Sequence, residues 1–238
     1  MPSQINVQIT GRIGNLIFYK LGDKYYSRSA PVKVKQTKAT KKRATEFGKA
    51  SRAGKSLRQQ LLPVIPFPKD NQMQTRLVSA IFLWLKSNIG NSLQPCNPVP
   101  YVSNYQFTKG YTVTERWKVA LRVTHPSEGM MELKIPAFVP SKALSAPANT
   151  FSVTSHIIAV GCNMENGVAT GGFNTFLDFE YNDMEVPEQT IPLPIPTLGG
   201  SLVATVIFLE YIYMKNGYPQ KTTNKAFMPA GVVNAMYF

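Results

Sequence analysis

Between residues 4 and 28 apolar and polar side chains alternate: Ile5, Val7 and Ile9 share one face, and the runs LIFYK and KYYSRS flank the turn Leu21-Gly22-Asp23. Period-two alternation around a Gly-Asp turn predicts an N-terminal β-hairpin of two or three strands. The period changes after Gln36-Thr37, a helix-start signal. No proline follows until Pro63, and Phe47, Ala50, Gly54, Leu57 and Leu61 recur at spacings of three and four. That spacing predicts one long helix whose narrow stripe of mostly small residues suits close packing. PVIPFPKD, residues 63–70, ends it as a linker. A second helix is expected in NQMQTRLVSAIFLWLKSNI, with Met73, Leu77, Ala80, Ile81, Trp84 and Leu85 at helical spacing.

From about residue 100 the period becomes two. Tyr111, Val113, Trp117, Val119, Leu121 and Val123 alternate with Thr112, Thr114, Arg116, Lys118 and Arg122, the pattern of a strand with one wet face. Further strands are expected at 131–138, 151–162, 173–181, 202–214 and 226–237, separated by Pro, Gly and Asn clusters. Val232, Val233, Met236, Tyr237 and Phe238 place the last of these in a paired strand, since a free tail of that kind would expose a sticky apolar end. The chain therefore reads as mainly β with a small helical part: a hairpin plus two helices, then an antiparallel β-sandwich, Ig-like or jelly-roll-like. Three segments follow, a basic hairpin-helix module over 1–62, a linker and second helix over 63–99, and a sandwich domain over 100–238. No internal repeat is present.

Composition supports this picture. The 238 residues are 44% hydrophobic, enough for a core, and the charged fraction of 16% is low, while 18 prolines and 16 glycines suit many short elements joined by turns. Charge is unevenly placed. Residues 1–60 hold fourteen Lys and Arg against Asp23 and Glu46, a balance of +12 out of the chain's +13. The first twenty residues show no apolar segment followed by a small-residue cleavage site, so a cytoplasmic or virion-associated location is expected. The most apolar run, Leu202–Leu209, is far short of the roughly 20 residues a spanning helix needs, so no membrane span is expected. Two cysteines, Cys96 and Cys162, without a CxxC pair, do not form a disulfide framework.

Several stretches invite chemistry. AGKS at 53–56 resembles part of a phosphate loop, but the glycine that the motif needs five residues earlier is Lys49, and no strand precedes it; a small-residue helix contact is the better reading. His156 and Cys162 share a strand face yet stand six residues apart, about 20 Å in a regular strand, too far for a catalytic pair. His125 precedes Pro126 in a turn-like HPSEG, and no spacing among the histidines and cysteines suggests a metal site. No catalytic residue, cofactor-binding residue or metal ligand is therefore assigned.

Two charged clusters remain. Lys33, Lys35, Lys38, Lys41, Lys42, Arg43, Lys49, Arg52, Lys55 and Arg58, with Glu46 as sole carboxylate, give +9 over residues 32–62, more self-repulsion than a bare surface helix usually tolerates. This points to an anionic partner, protein or nucleic acid. The Lys-rich, aromatic-poor composition disfavours sequence readout of a nucleic acid but allows nonspecific phosphate contact. Asp178, Glu180, Asp183, Glu185 and Glu188 form the acidic counterpart in FLDFEYNDMEVPEQ, a strand with an acidic outer face running into a turn. Opposite signs of this kind set register between partners.

GRIGNLIFYKLGDKYYSR, followed by Pro31 and QTKATKKRATEF, resembles a pattern of uncharacterised Bacteroidota proteins and phage-type structural proteins: G-x-x-G-N-x-x-F/Y, then G, R, P, Q-T, R and F in order. The match covers residues 11–47. The lysine-rich tract departs from it, since relatives carry Gln and Arg there. The resemblance implies no enzymatic activity and supplies no catalytic residues. The expectation is a non-enzymatic, self-assembling component of a large, virion-like protein particle that docks through its basic helix onto itself or another assembly protein. Nonspecific nucleic-acid binding is the alternative, and an enzyme of unknown type comes third.

Overall fold

The computed structural model describes residues 9–31, 36–65, 72–88, 96–108 and 111–238. Ile5, Val7, Lys33, Lys35 and most of the 63–70 linker lie outside them. The chain divides into two compact units, Met1–Lys42 and Arg43–Phe238.

In the first unit the expected hairpin is a three-stranded antiparallel meander: β1 (Gly11–Ile13), β2 (Leu16–Leu21) and β3 (Lys24–Ser29), in that order. Leu21 pairs with Lys24, leaving the two-residue turn Gly22-Asp23, and Gly22 sits at φ +63°, a conformation glycine adopts at no steric cost. Tyr19 and Tyr26 stack across the strands with centroids 5.9 Å apart. Helix α1 (Lys38–Leu61) opens here. The Thr37 hydroxyl accepts the Thr40 N–H at 3.1 Å, an N-cap of the kind that Gln36-Thr37 signals.

The second unit begins at Arg43, within α1, and adds α2 (Met73–Ser87), β4 (Asn97–Pro98), α3 (Val113–Arg116), β5 (Arg122–Ser127), β6 (Met130–Ile135), α4 (Pro140–Ala143), β7 (Thr150–Asn163), β8 (Ala169–Glu180), β9 (Gln189–Pro194), β10 (Ser201–Lys215), β11 (Tyr218–Lys221) and β12 (Ala230–Tyr237). The large sheet has the order β4-β12-β10-β7-β8, with β11 also on β10; the small sheet has the order β5-β6-β9. All pairings are antiparallel.

Three layers result. Ile158, Val160 and Cys162 of β7, with Leu202, Ala204, Val206 and Phe208 of β10, join Leu57, Leu61, Ile81 and Trp84 of the helices in one core. The intervening residues Val153, Ile157, Ala159, Val203, Ile207, Leu209 and Tyr211 join Met131, Leu133 and Leu193 of the small sheet in a second core. Burial on both faces explains why β10 and the Ile157–Cys162 half of β7 read as nearly unbroken apolar runs. The protein is thus mainly β, with a helical part covering one face of a sandwich. Strand β12 runs between β10 and the 97–107 segment, whose Val99 N–H and Asn104 N–H bond Ala235 and Val232 carbonyls at 2.9 and 2.8 Å. The apolar C-terminal stretch is a paired strand, as its composition demands. Among the described residues no helix is long and apolar enough to cross a membrane.

Three local expectations are corrected. Of the segment 111–123 only Arg122 and Val123 are strand: Thr112 and Glu115 form a reciprocal capping box that starts α3, and regular pairing begins at Arg122. The T-x-x-E signal outweighs the local alternation because it satisfies two otherwise unpaired N–H groups at once. Phe47 lies on the α1 stripe but is 53% exposed, resting edge-on against Phe82 at 5.8 Å. Strand β9 goes unrecognised in the sequence because of Pro192 and Pro194, which sit on the outer strand of the small sheet, where a missing N–H costs no ladder bond.

Candidate docking surfaces

Helix α1 divides into a buried stripe and a charged remainder. Ala50, Ala53, Gly54, Leu57 and Leu61 are buried, and Gly54 lies so close to α2 that an added methyl would stand 3.0 Å from Val78. AGKS is therefore the interior of a helix, used for helix–helix packing rather than as a strand-to-helix loop. Lys38, Lys41, Lys42, Arg43, Arg52 and Lys55 are exposed, and Lys49 and Arg58 are half-buried. Lys33 and Lys35 lie outside the described residues. Arg43 reaches Glu46 at 3.6 Å; Lys49 donates to the Glu165 carboxylate at 2.6 Å; Arg52 donates to the Glu165 carbonyl at 3.0 Å. The last two fasten α1 to the β7–β8 turn. Lys38 and Lys41 stand in or beside the first helical turn, which contains no acidic residue. A cation at this positive end of the helix dipole typically costs about 0.3–1 kcal/mol.

The acidic cluster grows from the other end of β8. Asp178 and Glu180 lie opposite Thr154 and Ser152 of β7 and share the helix-side face with His156 and Ile158. Leu177, Phe179 and Tyr181 turn the other way, into the second core. The Thr154 hydroxyl donates to Asp178 at 2.5 Å, the Asn182 amide to Glu180 at 2.9 Å, and the Ser141 hydroxyl to Asp183. Glu185 and Glu188 are exposed on the way into β9. Among the described residues none of these five carboxylates has a cation within 4 Å. Large exposed apolar side chains lie nearby: Phe176, on the same face, is 64% and Met184, in the turn, 73% accessible.

Sequence reasoning overlooks Glu210. It lies opposite Thr154, which in turn lies opposite Asp178, so a carboxylate row crosses three strands of the large sheet. Glu210 pairs with Lys221 at 2.9 Å. The available signal was a lone charge inside the apolar run LVATVIFLEYIY. Beside this row His156 is half-buried against Phe208, ring centroids 5.5 Å apart, and its Nε2 has no partner among the described residues; burial holds its pKa below the usual 6.5, with Glu210 opposing.

Basic and acidic poles are well separated. Arg52 packs on Gly167 in the β7–β8 turn, whereas Asp178 lies nine residues along β8 from Ala169, about 30 Å at strand rise. Lys49 and Arg52 therefore do not meet the acidic cluster within one molecule.

The cysteines and His125 belong to neither charged cluster. Cys162 is buried on the helix side of β7, its thiol pushed up to about 12 by burial. Cys96, exposed, places its sulfur 3.5 Å from His125 Nδ1, while His125 Nε2 lies 3.3 Å from the Thr197 hydroxyl and the ring rests 4.7 Å from that of Phe238. Pairing of β4 with the end of β12 brings them together across 29 residues, which no spacing rule reveals. Among the described residues no three His, Cys, Asp or Glu side chains gather as metal ligands. No protein-family model, curated protein or solved structure matches the chain.

Proposed function

We propose that this protein is a non-enzymatic structural subunit of a large, virion-like protein particle, and that its basic α1 docks on the acidic surface of a neighbouring copy around Asp178, Glu180, Asp183, Glu185 and Glu188. The observation that carries this reading is the separation of the poles. Lys49 and Arg52 sit about 30 Å along β8 from carboxylates that lack a cation within 4 Å among the described residues. Complementary charges that cannot meet within a chain meet between chains. Phe176 on the same face and Met184 in the following turn supply apolar area that a charged contact alone does not.

The test is charge reversal with rescue. Lys41, Lys42 and Arg43 changed together to Glu weaken assembly in sedimentation velocity at low salt, and Lys at 178, 180 and 183 partly restores it. Failure of the acidic changes to alter assembly in either background would overturn the reading.

A second reading, nonspecific nucleic-acid binding, is favoured by the meander, where Arg28 lies over Tyr19 at 5.8 Å on one face and Lys20 over Tyr25 at 5.5 Å on the other, aromatic and cationic pairs suited to bases and phosphates. It predicts affinity for unrelated DNA or RNA that falls steeply with salt and ignores the acidic cluster.

A further inference from the structure

We infer that β8 is an assembly edge that accepts the β8 strand of a second copy, antiparallel and related by a two-fold axis at Asn174, so that the large sheet continues from one molecule into the next. The inference rests on the assembly reading above and names the contact that reading lacks. Strand β8 ends the order β4-β12-β10-β7-β8, and among the described residues no strand pairs with its outer side. At twelve residues, ATGGFNTFLDFE, it is long for an edge and contains neither proline nor lysine, the usual devices that blunt one.

The direction of its amides can be worked out. Tyr181 N–H bonds the Phe151 carbonyl at 2.8 Å, which makes that opposed pair a bonded one. Alternation then assigns Phe179, Leu177, Thr175 and Phe173 to the β7 ladder, and Gly172, Asn174, Phe176, Asp178 and Glu180 turn their N–H and C=O groups outward.

Charge selects the occupant and its direction. A parallel neighbour would oppose Asp178 to Asp178 and Glu180 to Glu180. An antiparallel one carries these carboxylates to the start of the other strand, where Lys49 and Arg52 flank the β7–β8 turn. With the axis at Asn174, Phe176 faces Gly172 of the second copy, so an exposed ring covers a position without a side chain. Asp178 then faces Thr170.

Asn174→Pro removes an outward N–H without touching a β7 ladder bond, so thermal unfolding stays close to wild type while self-association weakens at least tenfold by sedimentation velocity. Asn174→Lys does the same through like charge at the axis. In a Cys96→Ser background, Asn174→Cys forms an oxidised dimer, because directly opposed strand residues lie within disulfide reach; Glu188→Cys in that background does not. Wild-type assembly by both the Pro and Lys variants, or no dimer from Asn174→Cys, overturns the inference. If those variants assemble while the charge-reversal variants do not, the β8 contact alone falls. A wild-type protein that is monomeric at every concentration refutes the assembly reading and the inference with it.

Discussion

Leu57 and Lys55 stand two residues apart on α1 and separate the two duties assigned to that helix. Leu57 is 2% exposed in the core shared with Leu61, Leu77, Ile81 and the large sheet. Leu57→Ala removes three carbons. At about 0.8 kcal/mol each the transfer loss is about 2.4 kcal/mol, and the cavity left under a helix that cannot collapse onto the sheet brings the cost to about 3–4 kcal/mol. For a chain of this size that lowers Tm by about 10 °C. Lys55 is exposed, has no carboxylate within 4 Å among the described residues, and its replacement by alanine improves helix propensity; the expected change is under about 0.5 kcal/mol. Circular dichroism melts and urea titrations of both variants measure the contrast. Equal destabilisation, or a Leu57→Ala loss under about 1 kcal/mol, would show that the stripe does not anchor α1, and the division of the helix into packing and docking faces would be abandoned.

Thiol labelling and pH give two more tests. A maleimide at neutral pH modifies exposed Cys96 in the folded protein but reaches Cys162 only in denaturant, since burial raises that thiol to about 12; equal labelling of both by mass spectrometry would contradict the buried position. His156 has a folded pKa held below its usual 6.5 by burial, so the unfolded chain binds its proton first and stability falls as pH drops through 6.5. His156→Gln removes that part of the acid loss; Tm measured at pH 7.5 and 5 in both proteins checks it, and an unchanged acid slope would refute the assignment.

Local periodicity made some elements legible and tertiary pairing hid others. Helices α1 and α2 announce themselves because a stripe facing one core repeats every three or four residues, and Thr37 caps the first. Strands β7 and β10 are visible as apolar runs, yet which parity faces the helices is settled only by register. The same register creates the row Glu210–Thr154–Asp178 and the neighbourhood of Cys96 and His125. In 111–121 the local signal T-x-x-E marks the helix start that forms, while the longer alternation around it is one that tertiary structure does not use. The ten cations and five carboxylates were readable as charges; that Lys49 and Arg52 are committed to Glu165 was not.

The location of the open acidic surface follows from two rises per residue. Strands gain about 3.3 Å per residue and helices about 1.5 Å, so the fourteen residues of β7 run about 46 Å while residues 43–61 of α1 span about 28 Å. One helix cannot roof that strand. It covers the end bearing Ile158, Val160 and Cys162, all buried, and leaves Ser152, Thr154 and His156 partly open. Under the roof a carboxylate would lose its hydration without a partner, at a cost of several kcal/mol. Beyond it Asp178 and Glu180 keep water and hydrogen-bond partners at little cost, and Glu210, more buried, is held by Lys221. The length mismatch thus fixes where on this sheet negative charge can collect, and places it at the end of β8 remote from Lys49 and Arg52, the arrangement in which an antiparallel second copy brings opposite charges together.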